Sequence, residues 1–476
     1  MLFNSLHFLF FFIIVTSLYF AIPYSKRWVL LLVSSCYFYM AFVPIYILIL
    51  GFTIVIDYFA GIYIRDAEGK RRKLLLVFSL VANIGVLAVF KYYNFLNENF
   101  SFLLHGFGLS NPIPYLSILL PIGLSFHTFQ AMSYTIEVYR GHQEPERHFG
   151  IYSLYVMFYP QLVAGPIERP QNLLHQFREK YDFEYTRVVD GLKLMLWGIF
   201  KKLVIADRLA IYVDTVYNNP EQHNGSTLIL ATIFFAVQIY CDFSGYSDIA
   251  IGAARVMGFK LMTNFNRPYF ARNISEFWKR WHISLSTWFK DYLYIYLGGN
   301  RVSIPRWYFN LFIVFLVSGL WHGANWTYII WGALNGFYLV FALVSHKFRN
   351  KMNHLTGIEK SPWLNRFLQI SITFLLSCFA WIFFRANHVT DAFLIIKKMA
   401  TSSGAFYIEN PSVMIFSFLG LFILLFVELK QEFYKGDFSF FNNKRWIVRN
   451  LSYAILIVII LLFGVFDGGQ FIYFQF

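Results

Sequence analysis

The chain of 476 residues is 58% hydrophobic and 14% charged, and its formal net charge at pH 7 is +14. Soluble globular domains are usually about 25% charged, so this composition excludes that class and indicates a membrane protein. The Lys and Arg residues lie in short loops between apolar segments. This pattern argues against a continuous basic face for nucleic acid and fits the charge bias of membrane topology.

Twelve apolar segments are candidate membrane helices, because about 20 apolar residues cross the hydrocarbon core of a bilayer as a helix. They are residues 6–22, 28–42, 44–64, 74–95, 115–139, 150–167, 226–241, 307–322, 326–345, 367–385, 411–428 and 447–466. Two of them are short for full spans, and Pro121 and Gly123 interrupt a third. We therefore expect some broken or re-entrant helices inside an all-α polytopic protein.

Two further stretches do not have the composition of membrane spans. Residues 188–217 and 276–297 mix apolar positions with Lys, Arg and Asp, as helices lying in the membrane interface do. No internal repeat, low-complexity tract or linker separates a soluble domain from the rest. The sequence predicts one membrane domain over residues 1–476.

The basic loops predict an orientation, because Lys and Arg near segment ends are retained in the cytoplasm. These loops are residues 25–27, 65–73, 140–148, 346–351 and 430–445. With these loops inside, both termini lie outside a bacterial inner (plasma) membrane. The 96–114 loop and the 387–410 segment then also lie on the outer side.

An imidazole follows one apolar segment and precedes another in the stretch VSGLWHGANW, residues 317–326. His322 has Ser318, Asn325 and Trp326 as polar or amphipathic neighbours in sequence. Burial disfavours the imidazolium, so this histidine is expected to be neutral, which is the form a general base needs. The structural alternative is a histidine that only links two helices by a hydrogen bond.

A second polar group lies in QIYCDFSGYSDIAIG, residues 238–252. Ser244 and Gly245 suggest a break in this helix, which would let four side chains line a channel where the backbone is irregular. These side chains are Asp242, Ser244, Tyr246 and Asp248. The alternative is a buried hydrogen-bond network, or a pairing of the acids with a cation such as Arg255.

A third candidate is His282 in RWHISLSTWF, close in sequence to Arg280 and Lys290. Taken alone, it is equally consistent with an interfacial histidine. The sequence has no HExxH, GxSxG or P-loop motif, so zinc proteolysis, serine hydrolysis and nucleotide hydrolysis lack support. Three scattered cysteines do not form a thiolate metal site, and no metal or bound cofactor is expected.

Six stretches, taken in order along nearly the whole chain, closely resemble the membrane-bound O-acyltransferase family. They are QLVAGPIERP (161–170), QIYCDFSGYSDIAIG (238–252), NRPYFARNISEFWKRWHISLSTWFKDYLYIYLGGNR (266–301), SGLWHGANWTYIIWG (318–332), WIFFRA (381–386) and the terminal GGQFIYFQF. Within that family the chain is most similar to the alginate O-acetylation branch. The proteins that transfer D-alanine to lipoteichoic acid resemble it more distantly.

The resemblance implies a ring of about 11–12 transmembrane helices, with re-entrant and interfacial helices around a central channel. It places the invariant histidine of the family at His322 and a second, less fixed polar position at His282. It further implies acetyl-CoA as the donor substrate from the cytoplasm. A secreted or periplasmic partner of the SGNH type would complete transfer to a polysaccharide hydroxyl.

These implications give each candidate residue a role. His322 takes the proton of the attacking hydroxyl, or is itself transiently acetylated. Asn325 or Ser318 stabilises the oxyanion. Three cations bind the phosphates of coenzyme A, or contact lipid headgroups instead: Lys279, Arg280 and Lys290.

The sequence predicts a membrane O-acetyltransferase for an exported or cell-wall polysaccharide, with alginate as the first candidate. Peptidoglycan or cellulose O-acetylation and D-alanylation of teichoic acid are alternatives. A transporter or flippase is a further alternative, since broken helices and membrane acids also build substrate pathways. Paired interrupted helices in two related halves would mark a transporter, and no such repeat is found in the sequence.

Overall fold

The computed structural model describes residues 1–117, 121–163, 165–434, 443, 445–466 and 471–472. Throughout these residues the regular secondary structure is helical, with no strand. The predicted all-α class is confirmed. Some predicted features lie partly outside the described residues: part of the segment 115–139, of the basic loop 430–445, and of the stretches QLVAGPIERP and GGQFIYFQF.

The described chain divides into two compact units, each made from two separate stretches of sequence. Unit 1 comprises Met1–Met195 and Ser247–Met262, and unit 2 comprises Leu196–Tyr246 and Thr263–Phe476. The sequence passes from unit 1 to unit 2 and back again before the final stretch. The single domain over residues 1–476 stays a prediction.

Unit 1 begins with ten helices, of which α10 continues into the first residues of unit 2. They are α1 (Leu6–Ala21), α2 (Tyr24–Met40), α3 (Ile47–Asp66), α4 (Gly69–Leu87), α5 (Tyr93–Gly106), α6 (Leu124–Arg140), α7 (Phe149–Met157), α8 (Tyr159–Leu162), α9 (Pro170–Leu173) and α10 (Tyr185–Ile199). A π-helical turn, Ala88–Tyr92, joins α4 to α5.

Unit 2 contains the remaining helices, and the last turns of α12 belong to unit 1. They are α11 (Asp207–Tyr217), α12 (Gly225–Met257), α13 (Ile274–Arg280), α14 (Ile283–Phe289), α15 (Ile304–His322), α16 (Trp326–Val344), α17 (His346–Leu355), α18 (Pro362–Arg385), α19 (Val389–Thr401), α20 (Pro411–Phe433) and α21 (Trp446–Phe463). Two π-helical turns, Phe200–Ala206 and Lys290–Tyr294, precede α11 and follow α14.

In the described part of the chain, eight helical segments are long and apolar enough to cross a membrane. They are Pro44–Asp66, Gly69–Gly106, Gly225–Met257, Ile304–His322, Trp326–Val344, Pro362–Arg385, Pro411–Phe433 and Trp446–Phe463. Each overlaps a segment predicted from the sequence, although Gly69–Gly106 and Gly225–Met257 extend well beyond the predicted 74–95 and 226–241. The polytopic membrane class is therefore confirmed.

The other four predicted segments form shorter helices. Residues 6–22, 28–42 and 115–139 correspond to α1, α2 and α6, of 16, 17 and 17 residues. Segment 150–167 is not one helix, because α7 ends at Met157 and α8 comprises only Tyr159–Leu162. Pro160 explains this division, since proline is accepted in the first turn of a helix and not in its interior.

The prediction of an interfacial helix over residues 188–217 is wrong in its middle part. Every residue of the π-helical turn Phe200–Ala206 is buried, including Lys201 and Lys202. A lysine inside the protein needs a partner for its charge. The sequence pattern does not show that such a partner exists, and the structure supplies it.

Candidate active site

His322 is the last residue of α15 and lies inside an aromatic cluster. Its side chain is buried, and its ring centroid is 4.9 Å from that of Trp321, 4.9 Å from that of Trp331 and 5.4 Å from that of Phe384. These are contact distances between rings. The three neighbours come from α15, α16 and α18, so three helices together fix the position of the imidazole.

Close contact between α15 and α16 sets this arrangement. A Cβ atom on Gly319 would lie 2.3 Å from the carbonyl oxygen of Tyr328 and 3.0 Å from the Cα atom of Gly332. Small residues let two membrane helices approach with their backbones in contact. Because Gly319 lies three residues before His322 and Gly332 follows Trp331, the contact brings the histidine and the tryptophan together.

A cavity of about 1130 Å³ lies within unit 2. This volume is close to that of the largest ordinary small-molecule sites, which measure roughly 300–1,000 Å³. One of its walls is a single face of α15, formed by residues that recur at the helical period: Trp307, Leu311, Val314, Phe315 and Ser318. From the first to the last of these the helix rises about 16 Å, at about 1.5 Å per residue.

This lining face of α15 continues to His322. Residues four apart lie on the same side of a helix, and His322 is four residues after Ser318. His322 itself is not among the residues that line the cavity, whereas Ser318 is. The cavity therefore extends along α15 to within about one helical turn of the imidazole.

The described residues that line the cavity include cations and no acidic side chain. The cations are Arg272, Lys279, Lys290 and Arg349. Arg349 is oriented by hydrogen bonds from its guanidinium to the carbonyl oxygen of Ala342 (2.6 Å) and to the Ser345 hydroxyl (3.1 Å). This lining favours a ligand that carries negative charge and also has an apolar part to pack along α15.

The three predicted donor-binding cations separate into two groups. Lys279 and Lys290 are exposed and line the cavity. Arg280 does not line it, and its guanidinium instead contacts Glu276 (2.7 Å) and Glu432 (3.0 Å), whose side chain is 7% exposed. The carboxylates hold Arg280 between α13 and α20, and its donor-binding role stays a prediction.

His282 lies between α13 and α14, in a left-handed backbone conformation with φ of 42°. Its Nδ1 is 3.2 Å from Oδ1 of Asn264, which can only accept a hydrogen bond, so Nδ1 carries the proton. Burial lowers the pKa of His282 to about 3, and the ring is therefore neutral. The backbone N–H and hydroxyl of Ser284 also donate to Asn264 (3.2 Å and 2.9 Å), which stabilises the turn.

Trp321 brings the two predicted histidines into one cluster. Its ring centroid is 4.9 Å from that of His322 and 6.4 Å from that of His282. His282 also meets the ring of Phe243 edge to face, with centroids 4.5 Å apart. Both histidines therefore belong to the same buried aromatic region of unit 2.

Asn325, a predicted oxyanion donor, caps the N-terminus of α16. Its Oδ1 accepts a hydrogen bond from the Thr327 N–H at 3.0 Å, and its Nδ2 donates to the carbonyl oxygen of Asn387 at 3.3 Å. The cap satisfies a backbone donor that the helix leaves free. Of the two predicted oxyanion donors, Ser318 is the one at the cavity, and both roles stay predictions.

The predicted break in residues 238–252 is wrong, because α12 continues through Ser244 and Gly245 to Met257. A Cβ atom on Gly245 would lie 2.8 Å from the carbonyl oxygen of Gly198. The glycine therefore serves a close approach of two helices and does not interrupt α12. In a continuous helix Asp242 and Asp248 lie about 240° apart around the axis, and the structure places them in different units.

Asp242 is paired with a buried lysine. Lys202 Nζ lies 2.8 Å from Asp242 Oδ1 and 2.6 Å from Asp207 Oδ1. Ser244 accepts a hydrogen bond from Lys201 at 2.9 Å, and the ring of Tyr246 lies 5.6 Å from Lys202 Nζ. Asp242 thus pairs with Lys202 and not with Arg255, the cation suggested from the sequence, and the channel-lining role of this group stays a prediction.

Unit 1 contains a buried polar group that was not predicted from the sequence. The Asp57 carboxylate accepts hydrogen bonds from Ser79 (2.6 Å) and Asn83 (2.9 Å), and Thr53 is 2.6 Å from His127. The signal was present, because Asp57 lies in the apolar run of α3, where a charge is costly. Only the packing of α3, α4 and α6 shows which side chains meet it.

Comparisons with known proteins agree with the resemblance. The sequence matches the model of the membrane-bound O-acyltransferase family over residues 147–385, which include both histidines. It is 38% identical to a probable alginate O-acetylase of Pseudomonas aeruginosa, with 84% of this chain and 75% of that protein covered. A peptidoglycan O-acetyltransferase of Helicobacter pylori is 36% identical, with 80% and 75% covered. A teichoic acid D-alanyltransferase of Bacillus subtilis is 29% identical, with 58% and 72% covered.

Proposed function

This chain belongs to the membrane-bound O-acyltransferase family, and on that premise we propose that it transfers acetyl groups from cytoplasmic acetyl-CoA to hydroxyls of an exported or cell-wall polysaccharide. Alginate is the first candidate acceptor, because relatives at 36–38% identity are named as probable alginate O-acetylases. Peptidoglycan is the second, since the relative named for it is similar to a comparable degree.

One observation carries the assignment of the site. The face of α15 that lines the cavity continues, after Ser318, to His322. A donor whose charged end stays among the cavity cations can therefore extend its thioester along α15 toward the imidazole. The length of the lining face, about 16 Å, suits a long, flexible donor.

The cations at the cavity support coenzyme A as the carrier of the acetyl group. Lys279 and Lys290 are positioned for its phosphates, and Arg272 and Arg349 add to the same positive field. His346 and Arg349 belong to the basic segment 346–351 at the start of α17, which the positive-inside rule assigns to the cytoplasm. The donor then enters from the cytoplasm, where acetyl-CoA is available.

In the proposed reaction His322 acts as the general base. The imidazole accepts the proton of the attacking hydroxyl, the acetyl carbon forms a bond to that oxygen, and its bond to sulfur breaks. The proton then passes to the thiolate of coenzyme A. Alternatively the unprotonated ring nitrogen of His322 first bonds to the acetyl carbon as the carbon–sulfur bond breaks and the thiolate of coenzyme A leaves. The hydroxyl oxygen then takes the acetyl group as the carbon–nitrogen bond breaks, and its proton neutralises the thiolate. In either case the C-terminus of α15 favours the positive charge that forms on the ring.

The resemblance also supports a partner and a location. We place the chain in a bacterial inner membrane with both termini outside, and we expect a secreted or periplasmic SGNH-type protein to complete transfer to the polymer. Cysteines introduced singly into residues 346–351 of α17 and into residues 107–114, the part of the predicted outer loop 96–114 that follows α5, test the orientation. A membrane-impermeant thiol reagent added to intact cells should label only the second position.

The test of the proposed function uses inverted membrane vesicles that contain the full chain, expose its cytoplasmic side, and enclose the acceptor polysaccharide together with the SGNH-type partner. With radiolabelled acetyl-CoA, we expect labelled polysaccharide and release of free coenzyme A. His322→Gln should lower both by about 10²–10⁴-fold, the usual contribution of a positioned base. His354→Gln is the matched control, because the side chain of His354 is 79% exposed on α17. Normal transfer by His322→Gln at equal membrane content would refute the assignment.

A further inference from the structure

Trp331 occupies a position between the donor cavity and His322. Its ring contacts His322 at a centroid distance of 4.9 Å and Trp278 at 5.7 Å. Trp278 lines the cavity, whereas Trp331 does not and is only 1% exposed. An acyl group that extends from the cavity to the imidazole comes close to the indole of Trp331, because that ring packs against both Trp278 of the cavity wall and His322.

We propose that Trp331 is the specificity-determining residue for the acyl group, and that its ring limits transfer to a two-carbon acyl chain. This inference rests on the proposed function, because it takes the cavity as the donor site and His322 as the base. It adds a residue that neither the resemblance nor the sequence analysis had singled out. It also gives a physical reason why acetyl is transferred in preference to longer acyl groups.

The ring of Trp331 cannot retreat easily from this position. The indole of Trp381 stacks on it, with centroids 5.7 Å apart and an angle of 22°, and Phe384 lies 5.2 Å away. On the backbone side, a Cβ atom on the adjacent Gly332 would meet the carbonyl oxygen of Phe315 at 2.4 Å. Aromatic side chains and the α15–α16 contact thus restrain the ring from both sides.

Close packing explains why this restraint selects by size. The centroids of the three rings around His322 lie 4.9 to 5.4 Å from the centroid of its imidazole, so these rings are already in contact with it. A methyl group requires only small ring movements, whereas each further methylene requires displacement of side chains packed at interior density. The chemical step is the same for every acyl length. A carbon–sulfur bond breaks, a carbon–oxygen bond forms, and the hydroxyl proton passes to the thiolate. Selection therefore depends on space alone.

The experiment compares acyl donors of increasing length in inverted vesicles that carry the full chain. Release of the coenzyme A thiol is measured with acetyl-, propionyl- and butyryl-CoA, and the rate found in His322→Gln vesicles is subtracted. In Trp331→Leu we expect the butyryl-to-acetyl ratio of kcat/KM to rise by about tenfold or more, since one methylene changes discrimination by about 10-fold to 200-fold. Trp331→Phe removes less volume, so its butyryl-to-acetyl ratio should rise less. This variant replaces Trp331→Leu in the test if the Leu variant does not fold.

Trp288→Leu is the matched control. Trp288 is also buried, but its ring packs on Phe289 and Tyr292. This variant should change the rates with all donors equally and leave the ratio unaltered. An unchanged ratio in both Trp331 variants, with acetyl transfer by the natural chain intact, would overturn the proposal alone. A natural chain without His322-dependent release from acetyl-CoA would overturn the proposed function and this inference with it.

Discussion

Gly319 of α15 and Gly332 of α16 meet backbone to backbone, and a Cβ atom on either residue would lie 3.0 Å from the Cα atom of the other. This contact joins the helix that ends at His322 to the helix that carries Trp331. The geometry of the candidate active site therefore depends on two residues that have no side chain. The first prediction follows from this.

Gly332→Ala should destabilise the protein and slow acetyl transfer. The added methyl group would meet the Phe315 carbonyl oxygen at 2.4 Å and separate α15 from α16, and overpacking of this kind costs about 1–3 kcal/mol. Thermal unfolding in detergent and thiol release from acetyl-CoA measure the two effects. Gly51→Ala in α3 is the control, because nothing lies within 4 Å of its added Cβ. Equal melting temperatures for the two variants would contradict the prediction.

Reversing the charges at the cavity should weaken binding of the donor. In the double variant Lys279→Glu/Lys290→Glu, attraction for the phosphates of coenzyme A becomes repulsion. Each exposed pair of a lysine and a phosphate contributes about 0.2–1 kcal/mol, so we expect the KM for acetyl-CoA to rise about tenfold when several such pairs are lost. The increase should shrink at high salt, because ions screen exposed charges.

Lys347→Glu is the control for this experiment. Lys347 is exposed in the same basic loop as Arg349 but is not among the residues that line the cavity. Its KM should stay close to that of the natural chain. The phosphate contact would be refuted by a double variant that binds acetyl-CoA as tightly as the Lys347 variant does.

Removing the buried lysine of unit 2 should be costly. Lys202→Met leaves the carboxylates of Asp207 and Asp242 buried without their counter-charge, and breaking a buried pair in this way costs about 3–5 kcal/mol. Lys180→Met, which breaks an ion pair whose side chains are 60% and 73% exposed, should cost at most about 1 kcal/mol. Unfolding in detergent compares the two. Similar stabilities would show that Lys202 is not needed to hold Asp242.

Because His282 is buried and neutral, we expect the stability of the folded protein to fall in mild acid. Its pKa is about 3 in the folded protein and about 6.5 in the unfolded chain, so between these values the unfolded state binds more protons. The contribution of His282 is complete above about pH 6.5 and is lost progressively as the pH falls toward 3. His282→Gln should flatten this dependence of the melting temperature on pH between 6.5 and 4.5. An unaltered slope would contradict the buried, neutral imidazole.

The sequence by itself determined the class of the molecule and most of its helices. Apolar segments near 20 residues must be helical in a bilayer, so eight of the predicted spans needed no knowledge of their neighbours. The stretches 266–301 and 318–332 likewise resemble the family, and that resemblance singled out His282 and His322. The helices follow from local composition, and the resemblance follows from short stretches read along the chain.

Only the tertiary structure decided which polar residues meet. Gly245 indicated a helix break from sequence, but it serves a close approach to Gly198, and that approach exists only in the fold. Arg280 and Lys290 have the same charge. Arg280 nevertheless pairs with Glu432, which is 152 residues away in sequence, whereas Lys290 lines the cavity. Burial and pairing depend on contacts between distant segments, so a pattern along the chain can mark a charged residue but cannot say what neutralises it.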